Sequence, residues 1–285
     1  MTRVGYGTFP LKEELVWTVP LAVSAGYRLI DTSDNYHNEE FIGRGLAQCT
    51  VARDELMVVT KFSAPRKTGR ISDCFSASER KLGGRIDVYL LHWPYPFLWK
   101  RQWRELENLY LAGRVGAIGV CNFDRRWLVR LLKFCRVKPA YNQFERHPLF
   151  QQRETERFCR EQGIGVMCYS PLARNDDRLL GSPQIVAIAA KHRVTPGQVV
   201  LRWNVQHGDI PLPASRSEGH IRGNNDIDGF ALSEAEMNRI DELESGLRIR
   251  YDPDRRFTFR QKLGFLALAL KLGALEFLRG RKGER

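Results

Sequence analysis

A chain of 285 residues that is 43% hydrophobic and 11% aromatic is long enough to close one large core or two ordinary ones, which excludes disorder, collagen and small disulfide scaffolds. Its 45 Lys and Arg outweigh 33 Asp and Glu by +12, an excess that admits nucleic acid, an anionic membrane or a phosphate-bearing ligand as partner. Eleven basic and four acidic residues fall between Arg248 and Arg285, so +7 of the excess belongs to that last stretch and only about +5 to the body before it.

Read from the N-terminus, MTRVGYGTFP has no apolar core of a secretory signal. Short β-rich runs then alternate with helical patterns. The strand candidates are 4–8, 28–31, 56–60, 86–91, 115–120, 139–143, 165–169 and 209–212, short and without clean alternation, as expected of strands covered on both faces. Between them, 97–113 repeats Leu98, Trp99, Trp103, Leu106, Leu109 and Tyr110 near helical spacing and ends at Gly113. Further helices are expected over 126–136, 152–163 and 196–206, the last opening on Thr195-Pro196, a capping residue followed by Pro at the first helical position.

Eight such pairs in about 250 residues predict a (β/α)8 TIM barrel. The alternative, a doubly wound open sheet, lacks its G-x-G-x-x-G turn here. Six scattered cysteines without a C-x-x-C pair point away from zinc, iron–sulfur clusters and disulfides, so no metal is expected and a reducing cytoplasm is the expected home.

In a barrel, the site forms at the C-terminal ends of the strands. The second candidate ends at Asp31, five residues before Tyr36; the third runs into Lys61 and the fourth into His92. Taken singly each has an ordinary structural explanation, but the apolar residues before them (Leu29-Ile30, Val58-Val59, Leu90-Leu91) carry all of them toward one partly buried rim. Such a set suits proton donation to a developing alkoxide. Lys61 beside Tyr36 is expected to lower the phenol's pKa, Asp31 to keep Lys61 charged and oriented, and His92 to hydrogen-bond the substrate oxygen. None of these groups is a reductant, so a cofactor has to bring the hydride.

These residues sit in stretches that resemble the aldo-keto reductase family across nearly all of 4–257: GYRLIDTSDNYHNEEFIGRGL (26–46), VVTKF (58–62), LLHWP (90–94), IGVCNF (118–123), YNQFERHP (141–148) and YSPLA (169–173). The resemblance implies a barrel that binds NADPH without a Rossmann fold and reduces an aldehyde or ketone, with Asp31, Tyr36, Lys61 and His92 as the catalytic tetrad. It further implies Cys121, Asn122 and Gln143 at the nicotinamide carboxamide, Tyr169 stacked on the ring, and Ser170, Pro171 and Leu172 along the pyrophosphate. Phe9, Trp93 and Phe97 would line the substrate mouth.

Two departures stand out. Cys121 replaces the usual Ser before the Asn. The P-K-S…R pattern that binds the 2′-phosphate reads P-A-S-R here, with Ala214 at the Lys position and His220 at the Arg position; Ser215 and Asn224 match, and Arg216, with Arg222 as a further candidate, is expected to supply the missing charge. An NADPH-binding barrel with a regulatory or structural role is the alternative, which the intact tetrad disfavours.

From 258 to 285 a Leu/Phe-rich helix flanked by Lys and Arg is expected to form an extension, separate from the 1–257 barrel, that the chemistry does not require. It reads as a helix packed on the barrel or across a dimer, or as a peripheral membrane contact on anionic lipid. No recognition module accompanies the charge, so nucleic acid is not an expected partner.

Overall fold

The computed structural model describes residues 4–63, 70–253 and 255–280, with side chains described as far as 273. The last five residues of the basic extension lie outside the described residues.

Eight parallel strands follow one another around a single sheet: β1 (Tyr6–Gly7), β2 (Leu29–Asp31), β3 (Met57–Phe62), β4 (Val88–Leu91), β5 (Ala117–Cys121), β6 (Tyr141–Glu145), β7 (Gly165–Tyr169) and β8 (Ile210–Leu212). Each pairs with the next in sequence. The seam between β8 and β1 is drawn together by Gly5 N–H to Pro211 O and Gly7 N–H to Pro213 O, both 2.9 Å. A side chain at Gly7 would stand 2.6 Å from the Leu212 carbonyl, so only glycine allows the two strands to approach this closely. Helices lie between the strands, and the architecture is a (β/α)8 barrel.

Strand side chains alternate between the barrel interior and the helical layer. Leu29, Val59, Val88, Leu90, Met167 and Leu212 form the inner cluster, while Ile30, Val58, Tyr89, Leu91, Ile118 and Val120 pack outward against the helices. Each such burial stabilises the fold by about 2 kcal/mol. The same period of two sends Asp31, Lys61, His92, Cys121, Gln143 and Tyr169 to the inward-facing position at or just past the upper end of their strands. The hydrophobic pattern that closes the barrel therefore also aims the polar rim.

Local signals are realised much as the sequence implies. The helix Pro196–Gln206 opens on a capping box in which Gln198 N–H donates to Thr195 Oγ1 (3.2 Å) and Thr195 N–H to Gln198 Oε1 (2.9 Å). The helix expected over 97–113 runs from Trp99 to Leu111 and buries Trp103, Leu106 and Leu109.

The segment after residue 242 crosses the upper rim of the barrel before entering the helix Phe259–Gly280. Two of its backbone N–H groups, of Ile249 and Arg250, donate to the two oxygens of buried Glu145 at the end of β6 (2.6 and 2.9 Å). Phe257 and Phe265 are buried against Tyr95. The C-terminal helix thus docks on the barrel through Phe265, Leu268, Ala269 and Leu272, and presents Phe259, Leu263, Leu266 and Leu270 outward. Among the described residues, no helix is long and apolar enough to cross a membrane.

Candidate active site

Buried Lys61 is the centre of the rim. Its Nζ donates to Asp31 Oδ2 (2.8 Å), to the Thr32 carbonyl (2.6 Å) and to the Tyr36 hydroxyl (3.5 Å), so every ammonium proton has an acceptor. The other Asp31 oxygen accepts Gln143 Nε2 at 2.7 Å. A buried charge pair is tolerable only when its remaining hydrogen-bonding capacity is met, as it is here. Burial works against the Lys61 charge, but Asp31, Tyr36 and Cys121 outweigh it and hold its pKa above the ordinary lysine range.

Tyr36 closes a short 3-10 turn, Asp34–Tyr36, capped by Ser33 and left through His37 in the left-handed region (φ 54°). Lys12 Nζ donates to the Tyr36 carbonyl at 2.7 Å and pins the turn. Here the structure corrects the expectation of a lowered phenol pKa. Burial pushes Tyr36 up to about 12; Lys61 does pull it down, but desolvation is the larger effect and Asp31 and Cys121 add to it.

His92 lies nearly parallel to Trp93 (5.7 Å between centroids) and edge-on to Tyr36 (6.0 Å). Its Nδ1 meets both Ser33 Oγ (3.0 Å) and Ser63 Oγ, and the two hydroxyls are 2.8 Å apart. With Nδ1 so engaged, Nε2 is the nitrogen left for the cavity. Burial, then Lys61, Arg256 and Arg250, hold the imidazole well below its usual pKa, so it is neutral at pH 7.

These groups open into a cavity of about 750 Å3. Asp31, Tyr36, His92, Asn122 and Tyr169 line its inner part; Ser170, Pro171, Leu172, Ser215 and Arg216 line a groove leading outward; Phe9 and Trp93 stand at its mouth. Asn122, left-handed at φ 64°, donates to the His92 carbonyl (3.1 Å) and accepts from the Tyr169 hydroxyl (2.7 Å). Cys121 and Gln143 lie buried just behind, and Gln143 Oε1 is a buried acceptor without a donor. Arg216 is exposed and 3.8 Å from Glu14.

Four residues singled out from the sequence are not brought to the cavity. Phe97 has a positive φ (64°), is 58% exposed and is not among the residues that line the cavity. His220 and Asn224 belong to the helix Glu218–Asn225 and do not line the groove. Arg222 is engaged by Glu218 one helical turn back (2.9 Å).

Others were missed. Ser33 and Ser63 are ordinary serines by sequence, and their role at His92 depends on the juxtaposition of β2 and β3. Arg174 and Asn175 prolong the groove beyond Leu172; YSPLA continues directly into them, a signal that was available. Arg250, Tyr251 and Arg256 also line the cavity. Of the basic stretch from Arg248 onward, these three residues belong to the site, because Glu145 and Phe257 fasten their segment across the barrel mouth; all three precede residue 258, where the expected extension begins.

A (β/α)8 barrel with a carboxylate, an ammonium, a phenol and an imidazole gathered at its C-terminal rim defines the class of the molecule. The sequence profile of the Aldo/keto reductase family matches residues 3–245, and the chain belongs to that family. It is 39% identical to the 9,11-endoperoxide prostaglandin H2 reductase of Trypanosoma cruzi over 90% of this chain and 93% of the relative. Identity is again 39% to the glyoxal reductase of Bacillus subtilis, over 89% and 93%. The solved aldo-keto reductase of Bombyx mori in complex with NADP is similar in fold, with a TM-score of 0.81 and 30% identity over 88% of this chain and 92% of that one.

Proposed function

We propose that the protein reduces an aldehyde or ketone to the alcohol at the expense of NADPH, with Tyr36 as proton donor. The observation that carries this reading is the continuous contact Asp31–Lys61–Tyr36 beside a neutral His92 on the floor of an open cavity. Bound NADPH supplies the hydride accepted by the carbonyl carbon, chemistry that no side chain here possesses.

Tyr36, protonated up to about pH 12, holds the proton that the carbonyl oxygen takes as it becomes an alcohol. Lys61 stands at the phenol oxygen and stabilises the charge left when that proton departs; Asp31 keeps the ammonium in place. With one of the Ser33 and Ser63 hydroxyls donating to Nδ1 and the other bonded to its neighbour, His92 would present Nε2–H to the same carbonyl oxygen and fix its direction. Phe9 and Trp93 supply the apolar walls.

The groove fits the cofactor. Gln143 Oε1, buried and without a donor, suits a carboxamide N–H, with Asn122 and Cys121 beside it and the Tyr169 ring against the nicotinamide. Ser170, Pro171 and Leu172 would follow the pyrophosphate. Ser215 and Arg216, with Arg174, would favour the 2′-phosphate of NADPH over NADH. The NADP-bound silkworm relative supports this choice. Six cysteines with no disulfide among the described residues suit a reducing cytoplasm. The C-terminal helix packs on the barrel, and its outward leucines are the surface through which a dimer or membrane contact would act.

Aldehyde-dependent consumption of NADPH by the full chain tests the reading. Turnover across a panel of reactive aldehydes is expected. Tight NADPH binding with no turnover of any carbonyl would overturn it in favour of a regulatory or structural barrel.

A further inference from the structure

The mouth of the cavity carries two positive charges that the chemistry above does not use. The Arg250 guanidinium lies 5.0 Å from the centre of the Phe9 ring, which is itself 5.0 Å from the Tyr36 ring. That of Arg256 lies 5.4 Å from the Trp93 ring, which stacks on His92. Each cation is therefore one aromatic ring away from a group that addresses the carbonyl oxygen.

Among the described residues, neither is paired with a carboxylate. Of the other half-buried or buried arginines, Arg28 and Arg248 donate to backbone carbonyls, of Val23 and Tyr27 and of Tyr251, and others find carboxylates: Arg146 with Asp209 (2.6 Å), Arg104 with Glu107 (2.7 Å), Arg53 with Asp87 (2.9 Å). Arg250 and Arg256 have none among the described residues, and the Nε of Arg256 is buried with no acceptor. Contact with aromatic faces offsets only part of the cost of withdrawing a guanidinium from water. An unmet donor at a cavity wall is an invitation to an anion.

Both arginines are also held in place. Glu145 fastens the backbone at Ile249 and Arg250, and Phe257, packed on Trp93, Tyr95 and Phe265, fixes the residue next to Arg256. Their field reaches the floor of the cavity, since both help to keep His92 neutral. The segment lies beyond residue 245, where the match to the family profile ends.

Resting on the reductase reading, we propose that the preferred substrates are carbonyl compounds bearing a carboxylate, which Arg250 and Arg256 bind at the mouth while the carbonyl reaches Tyr36 and His92. A planar guanidinium offers a carboxylate two parallel N–H groups, and two such forks on neighbouring walls select for the anion over its neutral ester.

The test compares 4-carboxybenzaldehyde with methyl 4-formylbenzoate, of the same ring and the same aldehyde, in the full chain with NADPH. The wild type is expected to favour the carboxylate in kcat/KM by tenfold or more. Arg250→Met and Arg256→Met should each lower that ratio by about tenfold, the loss of one charge-assisted hydrogen bond, chiefly through KM for the aldehyde. Arg256→Lys should restore part of it. An unchanged ratio in both variants, or a loss confined to KM for NADPH, would overturn the proposal. Turnover of the neutral ester reports the reductase reading by itself. If neither aldehyde reacts, binding of terephthalate to the NADPH complex still decides: affinity lost in Arg256→Met upholds the anion site, and no binding to the wild type refutes it.

Discussion

At the floor of the cavity the ammonium of Lys61 has three oxygen partners, one of them a carboxylate, whereas at the mouth the guanidiniums of Arg250 and Arg256 rest on aromatic rings with no carboxylate opposite among the described residues. The two clusters are built from the same kinds of group and do different work. A charge whose partners are all supplied by the protein orients and tunes its neighbours; it has no capacity left for a ligand. A charge left unmet in a half-buried wall keeps that capacity. Of the opening +12, the part in the last stretch therefore includes two cations that belong to the active-site cavity.

Several measurements sharpen or break this contrast. Asp31→Asn has the largest expected effect, because it leaves the Lys61 ammonium buried without its counter-charge. The fold should lose about 3–5 kcal/mol, read as a lower urea midpoint, and reduction should slow because the ammonium is no longer held at Tyr36. An unchanged midpoint would mean that the floor is not the tightly paired cluster described.

The pH dependence comes next. Reduction needs protonated Tyr36, and a pKa raised to about 12 keeps the phenol protonated throughout the neutral and moderately alkaline range. The kcat/KM for the aldehyde should therefore stay level there, while oxidation of the alcohol, which needs the ionised phenol, should climb with pH. A fall in reduction beginning near pH 8 would contradict the phenol's place in the account.

A smaller effect is expected at Arg216, an exposed cation held only loosely by Glu14 at 3.8 Å. Arg216→Ala should lower the preference for NADPH over NADH by about fivefold, since an exposed ion pair is screened by water. No change would assign the 2′-phosphate to Arg174 or another group of the groove.

Much of the barrel was legible because parallel strands buried on both faces announce themselves as short apolar runs, and all eight fall where those runs are. The rim was legible for a related reason: Asp31, Lys61 and His92 follow directly on the apolar residues whose alternation aims them inward. What escaped is long-range. Glu145 receives the N–H groups of Ile249 and Arg250 from about a hundred residues away, so nothing local to Arg250 marks it as part of the cavity. Phe97, expected at the mouth, stands exposed at a positive φ and outside the cavity lining, a backbone conformation that an aromatic letter does not reveal. The direction of the Tyr36 shift failed likewise, since a neighbouring lysine can be read from spacing while the depth of burial that outweighs it cannot.

The central claim is that the Asp31–Lys61 pair exists to serve the Tyr36 phenol, and Tyr36→Phe tests it most directly, because the ring stays and only the donor oxygen is removed. Single-turnover reduction of a reactive aldehyde by the NADPH complex should fall by about a thousandfold, the span of a lost general acid, with NADPH affinity retained. Reduction at the wild-type rate in Tyr36→Phe would contradict the account.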